Sequence, residues 1–265
     1  MQYYSMKESY LQKPSSVQFQ LHTHENYEVY LFLDGDASYI VEDKTYSLEP
    51  CDIIVIRKHE LHGVHPNSDA PYRRIPLHIN PAFFAANHCS EYEARFLSTS
   101  SIPGNKIPAN IVHSSGLYDL FMKYKKYSDN FTATTDSPVL TALIIEILYL
   151  VNQVTEYSVT DVSTGPLKDV ILYLNTHYTE DITLDMLEEK FFLSKYYLCK
   201  AFRKTTGLTL QEYVRLKRLA KVKDLRLAGA TISEAALAAG FKDYSSFYRV
   251  YKKEYGVSPR EDAGV

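Results

Sequence analysis

The C-terminal third of the chain repeats itself at an offset of 49 residues, with helix cap, core, base and stop all recurring in register. Ser194 pairs with Asp243, Leu198 with Phe247, Lys200 with Arg249, Phe202 with Tyr251, Lys204 with Lys253 and Gly207 with Gly256. Each copy has the pattern of a short helix, a tight turn and a second helix. Leu184 and Leu187, or Ile232 and Ala236, face inward on the first helix. On the second, Leu198 and Phe202, like Phe247 and Tyr251, stand four apart and share one face. With that face in the core, the outward set is Lys195, Tyr196, Cys199, Lys200 and Arg203 in the first copy and Tyr244, Ser245, Tyr248, Arg249 and Lys252 in the second.

Such a set suits a helix lying in the major groove of double-stranded DNA, where Lys and Arg pair with guanine acceptors or phosphates and hydroxyls add donors. A single basic helix is more simply a solvated face of a bundle; two in register favour nucleic acid. The connecting stretch, about Leu210 to Ala228, carries Arg215, Lys217, Arg218, Lys221, Lys223 and Arg226, with Leu216, Leu219, Val222 and Leu225 at three-residue intervals. Packed as a rigid helix, it places the two units in successive major grooves, about 34 Å apart. Charge agrees. Residues 167–265 hold 17 Lys and Arg against 13 Asp and Glu, while residues 1–166 hold 12 against 19, so a chain of net charge -3 joins a basic C-terminal part to an acidic N-terminal one.

Helix boundaries are marked throughout this part. Thr209 with Glu212, and Thr231 with Glu234, have capping-box spacing. Ser194 and Asp243 are N-caps, and Gly207, Gly229 and Gly256 fall where helices stop in a left-handed conformation. Pro166 suits the first position of a helix containing Ile171, Leu172 and Leu174. Six or seven helices are expected.

From Val17 to about Ile79 the pattern changes to short apolar or alternating runs, among them 27–33, 37–41 and 53–56, broken at Asp34-Gly35-Asp36, Glu49-Pro50 and Pro66-Asn67. Short strands at this spacing predict a sandwich or barrel. Two helices follow, about Ser115 to Ser128 and about Pro138 to Glu156. The second is apolar around much of its circumference and must pack on the barrel, on its neighbour or on a second subunit. The polar stretch 157–166, ending in Gly-Pro, is the linker. The expected fold is α+β in two domains: residues 1–156 as a β-barrel with flanking helices, and residues 167–265 as an all-α domain with two helix-turn-helix units.

Other classes are disfavoured. No run approaches the roughly 20 apolar residues of a membrane span, and the N-terminus has no secretory pattern, so a cytoplasmic protein is expected. Cys51, Cys89 and Cys199 are odd in number and far apart, which fits reduced thiols. There is no phosphate loop, no HExxH run and no nucleophile-base-orienter pattern.

Over Ile171 to Arg260 the sequence resembles the AraC/XylS family of bacterial transcription regulators. The resemblance is carried by 193–207, by Arg218-Leu-Ala-Lys221, by Ile232-Ser-Glu and by 239–260. It implies base contacts from Tyr196, Cys199 and Lys200, then from Tyr244, Ser245 and Arg249. Two departures stand out: Glu188 where the family has a small Ala, and Phe191-Phe192 in a turn that often has Gly or a polar residue.

In the N-terminal domain, His22-Thr-His24-Glu-Asn-Tyr-Glu28 followed by Gly35 is similar to the first motif of cupin barrels, and His62 falls at the histidine of the second. In metal-using cupins such a set holds a transition metal. Here Cys51 replaces a motif glycine, Arg57 its proline and His59 its next glycine, and cupin-like sensors in this regulator family usually take an organic effector. The expectation is therefore no metal and no cofactor. His22, His24, Glu28, Tyr30 and His62 would bind a sugar or other small polar effector, with Tyr27 and Tyr39 stacking nearby. A surface role for His22 and His24 stays open. The function expected is an effector-responsive transcription regulator and not an enzyme, an activator with promoter DNA, RNA polymerase and a second copy of the chain as partners. The alternative is a metal-dependent cupin enzyme with a helical appendage.

Overall fold

The computed structural model describes residues 3–14, 21–42, 44–58, 60–97, 104–130, 137–154, 167–227 and 229–262. The expected linker 157–166, Pro166, Val17 and His59 lie outside these residues. Two compact units form: Met1–Phe19, His24–Val41 and Thr45–Val162 make the first, while Gln20–Thr23, Glu42–Lys44 and Ser163–Val265 group in the second.

The first unit begins with two strands that the sequence pattern did not reveal, β1 (Tyr4–Met6) and β2 (Ser9–Leu11). β3 (Tyr27–Asp34), β4 (Ala37–Val41), β5 (Lys44–Ser47), β6 (Ile53–Ile56), β7 (His62–Pro66) and β8 (Tyr72–Ile79) follow, and β9 (Lys106–Ile107) comes later. They make two sheets. The larger has the order β1-β8-β3-β6-β9, with β2 also on β8, and the smaller has the order β5-β4-β7. Between the sheets lies a core of Tyr30, Phe32, Tyr39, Tyr46, Ile54, Ile56, Val64 and Tyr72. The other face of the larger sheet is covered by α1 (Ala82–Ala86), a 3-10 helix (Ser90–Phe96), α2 (Ala109–Ser114), α3 (Leu117–Asn130) and α4 (Pro138–Gln153). Because both faces are covered, β6 is buried at every position and β3 at its first six, so neither alternates in polarity. Pro76, which cannot donate to a ladder, sits where the outer neighbour of β8 changes from β1 to β2.

α4 starts with Pro138, whose missing N–H costs nothing there. Leu140, Leu143, Ile144, Ile147, Leu148 and Val151 are buried in the first unit's own core. Most of the apolar girth of α4 is thus used within the unit, and Val139, Ala142, Glu146, Tyr149 and Gln153 remain exposed along one stripe, with Pro138 exposed at the helix start.

From Leu167 onward the described elements of the second unit are all helices: α5 (Leu167–His177), α6 (Leu184–Phe191), α7 (Lys195–Thr206), α8 (Leu210–Leu227), α9 (Ile232–Ala238) and α10 (Tyr244–Tyr255). Each expected cap is present. Ser194 accepts from the Tyr197 N–H, Asp243 from the Ser246 N–H, and both Thr209–Glu212 and Thr231–Glu234 close reciprocal capping boxes. Gly207, Gly229 and Gly256 have φ of 75°, 94° and 75°. Leu219 and Val222 of α8 are wholly buried and pack with Ala235, Phe247 and Tyr251. Among the described residues no helix is long and apolar enough to cross a membrane.

Candidate functional site

Two surfaces carry chemistry, one in each unit. In the second unit, Leu198, Phe202, Phe247 and Tyr251 are fully buried, which turns the intervening side chains of α7 and α10 outward. Tyr196, Cys199, Lys200 and Arg203 on α7, and Ser245, Arg249 and Lys252 on α10, are exposed; Lys195, Tyr244 and Tyr248 are half-buried. Tyr196 is 74% exposed and lies under the Lys200 ammonium, whose nitrogen is 5.7 Å from the ring centre. On α10 the Arg249 Nε donates to the Ser245 carbonyl at 3.4 Å. Lys195 differs from the rest of the set, because its ammonium pairs with Asp185 and stands 3.8 Å from Glu188.

In the first unit the register of β3 against β8 sets Glu28 opposite His78. Side chains two apart share a face, so Glu28, Tyr30 and Phe32 of β3 meet Tyr72, Arg74 and His78 of β8. His62 enters from β7 of the smaller sheet, and His24 from the segment before β3. Three imidazoles converge on one carboxylate oxygen: Glu28 Oε2 is 3.1 Å from His24 Nε2, 3.4 Å from His62 Nε2 and 3.7 Å from His78 Nε2. The His62 side chain is wholly buried and that of Glu28 is 6% exposed. His22 is exposed and lies in the stretch Gln20–Thr23 that groups with the second unit.

Burial pushes the Glu28 carboxyl up, but hydrogen bonds from His24 and His62 and the charges of His62 and His78 hold it well below the usual carboxylate range. The reverse balance acts on His62: burial pulls it down, and contact with Glu28 raises it above the ordinary imidazole value. For His78, burial prevails and lowers it. Tyr30 is fully buried, with its ring centre 4.7 Å from that of Tyr39 and 5.7 Å from the Arg74 guanidinium. Its hydroxyl has no hydrogen-bond partner among the described residues. Burial, reinforced by the Glu28 charge, raises Tyr39 well above the ordinary phenol value. Tyr27, expected beside them, is on the opposite face of β3. There it stacks near Phe84 and Phe96 and donates to Glu93 at 2.8 Å, because odd and even positions of a strand face apart. A depression of about 220 Å³ lined by Tyr3, Tyr4, Ser5, Asn26, His78 and Asn80 leads from the surface to His78.

A family model described as a helix-turn-helix domain matches residues 187–263, and one described as an AraC-like ligand binding domain matches residues 10–120. The transposon Tn10 TetD protein of Escherichia coli is 36% identical over 105 residues, 39% of this chain and 76% of that protein. The HTH-type transcriptional activator RhaS of Escherichia coli O81 is 21% identical over 249 residues, 92% of this chain and 87% of RhaS. Among solved structures, ToxT from Vibrio cholerae aligns over 98% of this chain and 97% of its own, at 15% identity and a TM-score of 0.37.

The chain belongs to the AraC family of transcription regulators.

As an AraC-family protein it is a DNA-binding regulator with a ligand-binding domain, and its two departures from the family pattern acquire physical explanations. Glu188, in place of a small residue, accepts a hydrogen bond from the Lys195 N–H at 3.2 Å and so satisfies a free amide at the start of α7. Phe192 takes the left-handed turn conformation, φ 54°, and the residue is 93% exposed. The matching turn of the second unit uses Gly240, φ 94°, where a Cβ would stand 2.3 Å from the Thr179 carbonyl oxygen. His78 and Arg74 were missed in the sequence. The alternation Tyr72, Arg74, Pro76, His78 along β8 is the signal that held them.

Proposed function

We propose that this AraC-family regulator is an effector-responsive activator, in which a small polar molecule bound within the first unit changes how the second engages promoter DNA. The second unit reads bases from Tyr196, Cys199, Lys200, Tyr244, Ser245 and Arg249 in the major groove, with Lys195, Arg203, Tyr248 and Lys252 on the backbone. The effector, a sugar or similar metabolite, engages His22, His24, Glu28, Tyr30 and His62. Residues 1–156 form the sensor and 167–265 the DNA reader, joined by 157–166; the protein works in the cytoplasm as a homodimer that contacts RNA polymerase.

What supports this reading above all is that α7 and α10 bury equivalent apolar positions and leave equivalent polar ones exposed. Fluorescence anisotropy against the DNA upstream of its own coding region, at fixed salt, tests it. Specific affinity on the order of a thousandfold or more above random DNA is expected. Equal affinity for both would refute sequence-specific reading.

A further inference from the structure

We infer that the second unit carries a binding site for a small organic anion, a carboxylate on an apolar body, in the cleft where its two helix-turn-helix halves meet. The site lies wholly within that unit and is independent of the histidine cluster and of the effector proposed for it. Its volume is about 550 Å³, within the range of roughly 300–1,000 Å³ typical of small-molecule sites. Both halves build it: Leu174 of α5 and Leu187 of α6 precede the connecting helix, Val214 belongs to that helix, and Phe241 with Val250 of α10 follow it. Leu174, Leu187 and Phe241 are buried, so the walls are apolar.

Two cations line the same cleft. Arg215 and Arg218 stand three apart on α8 and share a face. Arg215 Nε is buried and meets no acceptor among the described residues. Glu212, one turn earlier, is held below the ordinary carboxylate value chiefly by the Thr209 N–H and hydroxyl, and after them by the charges of Arg215 and Arg203; its Oε2 is engaged at the helix cap. Arg218 donates Nε to the Tyr178 carbonyl at 2.6 Å and Nη2 to the Glu180 carbonyl at 2.7 Å. Carbonyls satisfy its hydrogen bonds without cancelling its charge, and burial prevails over the charge of Asp181 to lower it. The acidic residues of the cleft, Asp181 and Asp185, have side chains 78% and 81% exposed, where solvent and salt screen them, and Asp185 is paired with Lys195. A carboxylate supplies what the inner wall lacks, an acceptor for Arg215 and a counter-charge for Arg218, in a shape that a guanidinium fork matches. Its occupancy bears on DNA reading, because Arg218 ties α8 to residues 178–180, and Thr179 of that stretch packs on Gly240 so closely that no Cβ fits there.

The test uses the full-length protein and two probes of one shape, 2-naphthoate and the uncharged 2-naphthamide, read by methyl NMR of leucine and valine. Expected are saturable shifts at Leu174, Leu187, Val214 and Val250 with 2-naphthoate, and affinity at least about tenfold lower both for 2-naphthamide and in Arg215→Met. Circular dichroism verifies the fold of the variant, and its affinity for promoter DNA without probe is expected to match the parent's. No shift at these methyls at millimolar 2-naphthoate, equal affinity for the two probes, or unchanged affinity in the folded variant would overturn the inference. Shifts confined to the first unit would assign the probe to the effector site, and the inference would fall. A uniform loss of affinity for every DNA in the probe-free variant would also overturn it, by making Arg215 a contact to backbone phosphates.

Discussion

At the residue scale, four described residues other than glycine take a positive φ, Glu42, Cys51, His88 and Phe192, and the sequence marks two of them, Cys51 and Phe192, as unusual. Cys51 stands where the barrel motif has glycine, and its φ is 75°, in the region that favours glycine. Phe192 repeats the situation in the first helix-turn-helix, where its exposed ring gains nothing from packing. A left-handed conformation costs a side-chain-bearing residue about 1–2 kcal/mol, part of which glycine returns through its freer unfolded chain. Phe192→Gly is therefore expected to stabilise the protein by up to about 1 kcal/mol, measured by denaturant unfolding; a clear loss of stability would show that Phe192 makes contacts the account omits. The histidine cluster shows the limit of such inference. His24 and Glu28 are four apart and were legible together, whereas His78 joins them only through strand register, which a single sequence does not display. Tyr27 failed for a related reason: proximity in sequence placed it beside Tyr30, and the two-residue period of a strand sent it to the other face.

At the element scale, the helices of the second unit were legible nearly end to end, because their stops and starts are chemical. Hydroxyls, carboxylates and glycines satisfy or release particular backbone groups. Strands were harder. β1 and β2 are three residues each and lack the length for a pattern to register. The apolar circumference of α4 left its partner open, and the fold assigns most of it to the first unit's own core. The dimer proposal consequently narrows to the stripe Val139, Ala142, Glu146 and Tyr149, in which Val139 is 49% and Tyr149 is 42% exposed. Ultracentrifugation is expected to show a monomer–dimer equilibrium that Val139→Glu with Tyr149→Glu shifts to monomer, since two like charges per protomer oppose burial at an isologous face. Dimerisation unaffected by the pair would place the interface elsewhere.

At the scale of the whole molecule, one chain joins an acidic unit with a buried histidine–carboxylate cluster to a basic unit with paired outward helices. The charge division was readable from composition and the pairing from the 49-residue repeat. The central claim is that α7 and α10 read two adjacent stretches of one site. Hydroxyl-radical footprinting on promoter DNA, with the parent protein and Arg249→Ala side by side, tests this most directly. The account predicts two protected segments about 10 base pairs apart, with the variant losing discrimination within one segment only, at a cost of about 1–3 kcal/mol. A single protected segment, or an equal loss across every sequence tried, would contradict it.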